Sequence, residues 1–81
     1  MEPAAAFGKV LRQLRQDAGL TQEELGFEAD LRRTYVSILE LGQQQPTLTT
    51  ILKLAKALNH SAEGIVGLVE VELHLAGRRR R

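Results

Sequence analysis

Apolar residues recur every three to four positions along most of the chain, which is the spacing of one face of an α-helix. The first such stretch predicts a helix from about Ala4 to Ala18. Pro3 suits the first helical position and Gly19 suits the C-terminal cap, so both ends carry a suitable residue. The apolar face of this helix consists of Phe7, Val10, Leu11, Leu14 and Ala18.

Two short helices follow, joined by a tight turn. Thr21 and Glu24 have the spacing of a capping box, which predicts a second helix over Gln22–Ala29. Asp30 suits the turn because it tolerates left-handed backbone geometry better than most residues. The third helix is expected from about Arg33 to Leu41, where a glycine follows and ends it.

A polar loop leads to a fourth helix and then a fifth. Thr47 and Ser61 are suitable N-caps for these two helices, and Asn59 is a suitable left-handed residue between them. We expect the apolar stripes of the first four helices to form the core. The stripe of the fourth helix consists of Leu48, Ile51, Leu52, Ala55 and Leu58.

The segment from Leu68 to Leu75 has two interpretations. Its apolar and polar residues alternate, which is the periodicity of a strand, but Ile65, Val69 and Leu73 also share a helical face. Valine enrichment and Gly67 favour the strand. A single strand in a helical domain would have to pair with the same strand of a second subunit.

The sequence therefore predicts an all-α, five-helix domain, with a C-terminal β-strand pairing across a dimer if the strand interpretation holds. Either interpretation places dimer contacts in the fifth helix and the segment that follows. The predicted dimer-interface residues are Ile65, Leu68, Val69, Val71, Leu73 and Leu75.

Composition limits the possible chemistry. The 81 residues correspond to one small domain, and dimerisation would help to stabilise it. There is no cysteine, and His60 and His74 lack metal-ligand spacing, so we expect no metal and no cofactor. No nucleophile–base pair or phosphate-binding glycine loop is present, so we expect no catalytic residues and no enzyme activity. The chain has no apolar run long enough for a membrane span and no secretion signal, which predicts a cytoplasmic protein.

The net charge of +1 hides an uneven distribution. Four of the eleven basic residues form the terminal run Arg78 to Arg81, and without them seven basic and ten acidic residues leave a net charge of −3. DNA phosphates would therefore have to be met by a few localised groups, by helix N-termini and by this tail. If the tail touches DNA, its deletion should flatten the salt dependence of binding.

The helix pair between Gly19 and Gly42 is the strongest functional feature. A short helix, a tight turn and a second helix that begins with arginine, threonine and tyrosine suit insertion into the major groove of DNA. Arginine can bond guanine in a bidentate manner, and the threonine methyl can pack against the methyl of thymine. Double-stranded DNA is therefore the predicted partner.

Several motifs in the same order resemble the Cro and phage-repressor (XRE) type of helix-turn-helix regulator. They are LTQEEL, the ADL turn, RRTYVSILELG, PTL and TILKLAKAL, and together they span roughly residues 7–65. Arg-Thr-Tyr at the start of the third helix and the short chain also resemble controller proteins of restriction–modification systems. The resemblance implies a five-helix fold, a recognition helix at the third position, and a homodimer on a palindromic operator.

The resemblance also implies roles for individual residues. An ion pair between Arg15 and Glu40 is expected to join the first helix to the third. Gln22 is expected to bind a phosphate and brace the recognition helix, and Arg33 and Thr34 are expected to read bases. The full set of predicted DNA-binding residues is Gln22, Arg32, Arg33, Thr34, Tyr35, Ser37, Ile38, Gln45, Thr47 and Thr50. The domain organisation that follows is a DNA-binding domain at 1–67, a dimerisation segment at 68–77 and a basic tail at 78–81.

Some positions depart from the family pattern. Arg32 stands where a serine or threonine N-cap is usual, and Ile38 and Leu41 stand where polar or basic residues are usual. Together with Phe27 and the acidic body, they motivate an alternative function: a helix-turn-helix module that binds a protein, such as an antitoxin-like or anti-repressor partner.

Under the DNA-binding interpretation the chain is a transcriptional regulator at the nucleoid of a bacterium or phage host, and an activator would also need a surface for RNA polymerase. The acidic residues Glu23, Glu24 and Glu28 are candidates for that surface.

Overall fold

The computed structural model describes residues 1–79 and consists of five α-helices. In chain order they are α1 (Pro3–Asp17), α2 (Gln22–Ala29), α3 (Arg33–Glu40), α4 (Leu48–Ala57) and α5 (Ala62–Arg79). The described residues contain no strand, which confirms the predicted all-α, five-helix fold. Arg80 and Arg81, the last two residues of the predicted basic tail, lie outside the described residues.

The helix boundaries follow from capping residues. The Thr21 hydroxyl accepts a bond from the Glu24 N–H at 3.0 Å while the Glu24 carboxylate accepts one from the Thr21 N–H at 2.9 Å, so the predicted capping box is present. Thr47 and Ser61 cap α4 and α5 through bonds from the N–H groups three residues later. Asp30 adopts the left-handed conformation (φ 55°) that ends α2.

The core lies where the five helices pack against one another. α1 contacts α3 and α5, α2 contacts α3 and α4, and α4 contacts α5. α1 and α3 approach so closely at Gly8 that a methyl group there would overlap the carbonyl oxygens of Leu39 and Glu40. The fully buried large side chains are Leu11, Leu25, Val36, Leu39, Leu54 and Ile65.

Part of the core prediction was wrong. Leu48 and Leu52 were expected in the core as members of the α4 stripe, yet they are 71% and 53% exposed. Ala18, expected on the buried face of α1, is exposed beyond its last turn. Two other members of the predicted stripe, Ala55 and Leu58, are buried as expected, and Thr50 and Leu54 are buried beside them. The fourth helix is apolar over a wider arc than one small domain can bury.

The strand prediction for Leu68–Leu75 was also wrong, because the segment continues α5 as a helix. Ile65 is buried and Val69 packs against the core at helical spacing, so burial follows the helical period. The alternation in the sequence is misleading because a charged residue, Glu72, lies on the inner side of the helix. Its carboxylate accepts a bond from Lys9 of α1 at 2.6 Å.

This result also changes the predicted dimer interface. Ile65 is fully buried within its own subunit, so it belongs to the core and cannot contact a partner from that position. α5 runs without a break across the predicted domain boundary between residues 67 and 68. Val69 and Leu73 are half-buried, and Leu68, Val71 and Leu75 are exposed.

Candidate nucleic-acid interface

The turn between α2 and α3 is compact. The Leu31 N–H bonds to the Gly26 carbonyl oxygen at 2.8 Å, and a Cβ atom at Gly26 would lie 2.7 Å from the Leu31 oxygen. Only glycine therefore fits at this position of α2. The close contact sets the angle between the two helices and hence the direction in which α3 begins.

α3 has one buried side and one exposed side. Val36 and Leu39 are fully buried, whereas Arg33 and Thr34 are exposed at the first turn. Ser37 is half-buried on the same side as Thr34, and Leu41 is exposed just after the helix ends. The first turn thus presents a guanidinium group and a hydroxyl group on the outside of a helix whose inner side is held in the core.

Arg32 lies directly before this turn as the N-cap residue. Its side chain makes no capping hydrogen bond, although its extended backbone (φ −72°, ψ 144°) is the usual geometry for a cap. The exposed Arg32 and Arg33 are therefore adjacent at the start of α3, where unpaired N–H groups add positive potential. Two guanidinium groups and a helix N-terminus therefore concentrate positive charge at one point of the surface.

A buried polar network holds the other end of α3. Arg15 Nε donates to Glu40 Oε2 at 2.6 Å, Arg15 Nη2 donates to Glu40 Oε1 at 3.0 Å, and the two side chains are only 12% and 4% exposed. Gln22 Nε2 donates to the same Glu40 Oε1 at 3.0 Å. The hydrogen bond from Arg15 to Glu40 raises the pKa of the guanidinium group, and burial opposes this effect. α1, the start of α2 and the end of α3 are therefore joined at one carboxylate.

A second polar contact ties α3 to α4. The hydroxyl oxygens of Tyr35 and Thr50 lie 3.4 Å apart, and the Thr47 hydroxyl donates to that of Thr50 at 3.0 Å. Thr50 is buried, so its hydroxyl is available to these neighbours and not to an outside ligand. Gln45 and Thr47 are exposed at the start of α4. This contact places the N-terminus of α4 beside the first turn of α3.

The predicted site residues thus separate into two groups. Those that are exposed are Thr47, Arg32, Arg33, Thr34 and Gln45, and Gln45 also lines a groove with Pro46 and Val66. Those engaged in internal contacts are Gln22, Tyr35 and Thr50, together with the Arg15–Glu40 pair, while Ser37 and Ile38 are half-buried. The structure therefore places Tyr35 and Thr50 in the contact between α3 and α4.

Two exposed apolar surfaces are formed by residues outside α3, and the sequence interpretation missed one of them. The α4–α5 surface consists of Leu48, Leu52 and Val66, and Val66 shares a groove with Ile51 and Pro46. The α5 stripe consists of Leu68, Val71 and Leu75. Because an α-helix turns by about 100° per residue, Val66 and the α5 stripe lie on opposite sides of α5.

Two further kinds of feature are absent from the described residues. Across residues 1–79, no three His, Asp or Glu side chains are grouped so that they could hold a metal ion. No helix in that range is both long and apolar enough to cross a membrane.

A helix pair with a tight turn, an exposed polar helix start and a buried anchor defines a helix-turn-helix domain. The helix-turn-helix family matches residues 11–65, and the chain belongs to it. The resemblance predicted from the sequence motifs is thereby confirmed, and the protein class is that of DNA-binding transcriptional regulators of the XRE type.

The relatives of the chain include controller proteins of restriction–modification systems. The control protein C.BamHI of Bacillus amyloliquefaciens is 45% identical over 53 residues, which are 64% of this chain and 65% of that protein. The restriction–modification controller protein C.AhdI from Aeromonas hydrophila is similar in structure, with a TM-score of 0.75, 44% identity, and coverage of 76% of this chain and 94% of C.AhdI. A third similar structure is that of the controller protein C.Esp1396I, solved as a tetramer in complex with its natural 35-base-pair operator. The TM-score is 0.80 at 25% identity, and the match covers 89% of this chain and 95% of the C.Esp1396I chain.

Proposed function

We propose that this protein is a controller-type transcriptional regulator that binds a palindromic operator as a homodimer. The observation that carries the proposal is the exposed first turn of α3, where Arg33 and Thr34 extend from a helix anchored at both ends. The similarity to C.BamHI and C.AhdI supports a role in controlling the genes of a restriction–modification system.

In this proposal α3 enters the major groove with its N-terminal turn. Arg33 bonds the O6 and N7 atoms of a guanine, and the Thr34 methyl packs on a neighbouring thymine. Ser37 and Ile38 follow one turn later and contact the edge of the groove. An anchored helix suits base reading because a bidentate hydrogen bond requires a fixed donor position.

Phosphate contacts are assigned to the groups around the reading turn. Arg32, Gln45 and Thr47 are exposed and polar, and Gln22 lies at the start of α2, where free N–H groups favour an anion. Tyr35 and Thr50 act indirectly by holding the start of α4 beside α3. The attraction of these few groups for phosphates offsets the repulsion between the acidic body of the chain and the DNA backbone.

The dimer contact is assigned to the α4–α5 surface, extended along α5 by the half-buried Val69 and Leu73. Leu48 and Leu52 are the most exposed aliphatic residues of α4, and the Tyr35–Thr50 contact puts this helix beside the recognition helix. A two-fold axis at this surface keeps both recognition helices close to the dyad, as half-sites about 34 Å apart require. The α5 stripe, also predicted from the sequence as dimer contact, then remains outside the two-fold interface.

A controller acts on transcription, so RNA polymerase is the proposed protein partner. A cytoplasmic location at the nucleoid follows from operator binding.

Selection from a random pool of DNA duplexes at moderate salt tests this function. The expected product is an inverted repeat with half-site centres about 10 base pairs apart. A folded, dimeric protein that enriches no sequence would contradict the proposal and would direct attention to a protein-binding role for the helix pair.

A further inference from the structure

The outer side of α3 beyond its first turn is apolar. Thr34, Ile38 and Leu41 lie within an arc of about 60°, because an α-helix turns by about 100° per residue and the backbone of Leu41 still has helical geometry (φ −80°, ψ −4°). The buried Val36 and Leu39 lie on the opposite side of the helix. We call Thr34, Ile38 and Leu41 the α3 outer stripe.

Packing of the core does not account for the apolar character of this stripe. Ile38 is half-buried, yet within residues 1–79 it is not one of the partly buried apolar side chains that pack against the core. Leu41 is 67% exposed. The proposed function gives the Thr34 methyl a thymine and leaves Ile38 at the edge of the groove without a defined contact.

The stripe also offers very little to a phosphate. After Arg33, the only charged residue of α3 is Glu40, which is 4% exposed and paired with Arg15. The polar group nearest to Ile38 on the outer side is the hydroxyl of the half-buried Ser37. This part of α3 therefore adds little electrostatic affinity for DNA, and its contribution must come from apolar contact.

The major groove presents one apolar group on the base edges, the C5 methyl of thymine. The other groups there are hydrogen-bond donors and acceptors, which an aliphatic side chain would cover without bonding. Isoleucine suits a methyl contact because its β-branched side chain is nearly fixed at χ1 in a helix, so that binding costs little side-chain entropy.

The spacing along α3 allows two such contacts. Four residues of helix rise by about 6 Å, which corresponds to one or two base-pair steps of about 3.4 Å. Thr34 and Ile38 are therefore placed to contact two different bases of one half-site.

We propose that Ile38 is a specificity-determining residue that selects a thymine by its C5 methyl group, one or two base pairs beyond the thymine contacted by Thr34. The proposal rests on the proposed function, because it requires α3 to lie in the major groove. It adds a pyrimidine methyl group as the ligand of Ile38. Each half-site then contains a guanine for Arg33 and two thymines.

Binding to chemically modified operators tests the proposal. The probes are duplexes with the operator enriched from the random pool, in which each thymine of a half-site is replaced in turn by deoxyuridine, so that only the methyl group is lost. Two positions should each lose about fourfold in affinity, as expected for one buried methylene-sized group. A position changed in both half-sites should lose about 16-fold, because the two sites are well separated.

Variants assign the two positions. With Ile38→Ala, the deoxyuridine penalty should vanish at one position and remain at the other. Ile38→Val is a milder change that keeps the β-branched shape, and it should give an intermediate penalty at the same position. Leu41→Ala is the matched control, because it removes a more exposed side chain of the same stripe further from the N-terminal turns that contact bases. It should leave both penalties unchanged.

A second modified base separates a methyl contact from a hydrogen bond to thymine. A cytosine–guanine pair at the position assigned to Ile38 should bind more weakly than thymine–adenine. A 5-methylcytosine there should regain about fourfold with the wild type and nothing with Ile38→Ala, since the two cytosine probes differ only in the methyl group. An equal gain with both proteins would overturn the proposal.

The outcomes separate this proposal from the proposed function. If the wild-type protein binds the operator specifically but shows no deoxyuridine penalty, or if every penalty persists with Ile38→Ala, the role of Ile38 is overturned and operator binding stands. If Leu41→Ala removes a penalty that Ile38→Ala leaves intact, the methyl group is read one turn further along α3 and the proposal also fails. Absence of specific binding by the wild type would contradict the proposed function itself.

Discussion

The recognition helix α3 and the C-terminal helix α5 are held in different ways. α3 has only eight residues, yet the buried Glu40 carboxylate, the Tyr35–Thr50 contact and two fully buried apolar residues anchor it. α5 has eighteen residues, and the Lys9–Glu72 pair, in which Lys9 is 53% exposed, links it to α1. The helix that we propose reads DNA is fixed inside the subunit, whereas the longer helix leaves apolar area exposed.

The largest expected difference concerns the two ion pairs. Glu40→Gln should lower the free energy of unfolding by about 3–5 kcal/mol, because it leaves the Arg15 charge buried without its partner. Lys9→Gln should cost about 0–1 kcal/mol, because the exposed Lys9 is screened by water. Urea denaturation of both variants measures the two effects. Equal losses would show that α5 is anchored as firmly as α3.

The next comparison tests the two apolar surfaces on either side of α5. Leu52→Lys places a charge in the proposed interface and should give a monomer whose operator affinity falls about a hundredfold, because the second half-site contact is no longer linked to the first. Val71→Lys, on the α5 stripe, should remain dimeric.

Sedimentation analysis and operator titration of both variants measure this difference. The reverse result, a monomeric Val71→Lys variant and a dimeric Leu52→Lys variant, would move the interface to the α5 stripe.

A glycine-to-alanine change should lower the stability of the protein at the α1–α3 contact and raise it within α5. Gly8→Ala forces a methyl group into the backbone of α3 and should destabilise the fold by about 1–3 kcal/mol. Gly67→Ala meets open space within α5 and should stabilise the protein by about 0.5–1 kcal/mol, since alanine favours helix. Thermal unfolding measures both changes. A destabilising Gly67→Ala would argue against a continuous helix through residue 67.

The smallest expected effect concerns the start of α3. Arg32→Ser supplies the missing N-cap hydrogen bond and should stabilise the protein by about 0.5–1 kcal/mol. The same change should weaken DNA binding, because it removes an exposed cation beside the reading turn. Stability and operator affinity are compared on one preparation. A variant that gains stability with unchanged affinity would remove Arg32 from the phosphate contacts.

Sequence features predicted most of α1 to α4 because local chemistry determines helix ends. The capping box at Thr21, the caps at Thr47 and Ser61, and the left-handed Asp30 all act within a few residues, and all are present. Arg15 and Glu40 also meet as the family resemblance implied. The resemblance therefore located an interaction between residues 25 positions apart that periodicity alone does not indicate.

The remaining features depend on distant contacts. Glu72 makes α5 look like a strand because its polar character interrupts the apolar face, and its contact with Lys9 forms only in the folded chain. Leu48 and Leu52 have the same side chain as the buried Leu54, and which of them is covered depends on where α5 packs. The roles of Thr50 and Tyr35 depend on the α3–α4 contact, which forms only in the folded chain.

The most direct test of base reading by an anchored α3 is a DNA selection with Arg33→Ala beside the wild type. We expect the variant to enrich the same inverted repeat with the same spacing, but with the preference for guanine lost at one position in each half-site. The lost discrimination should correspond to about 1–3 kcal/mol, as for one bidentate arginine–guanine pair. An identical motif from both proteins would contradict the account, because Arg33 would then contribute to binding without reading a base.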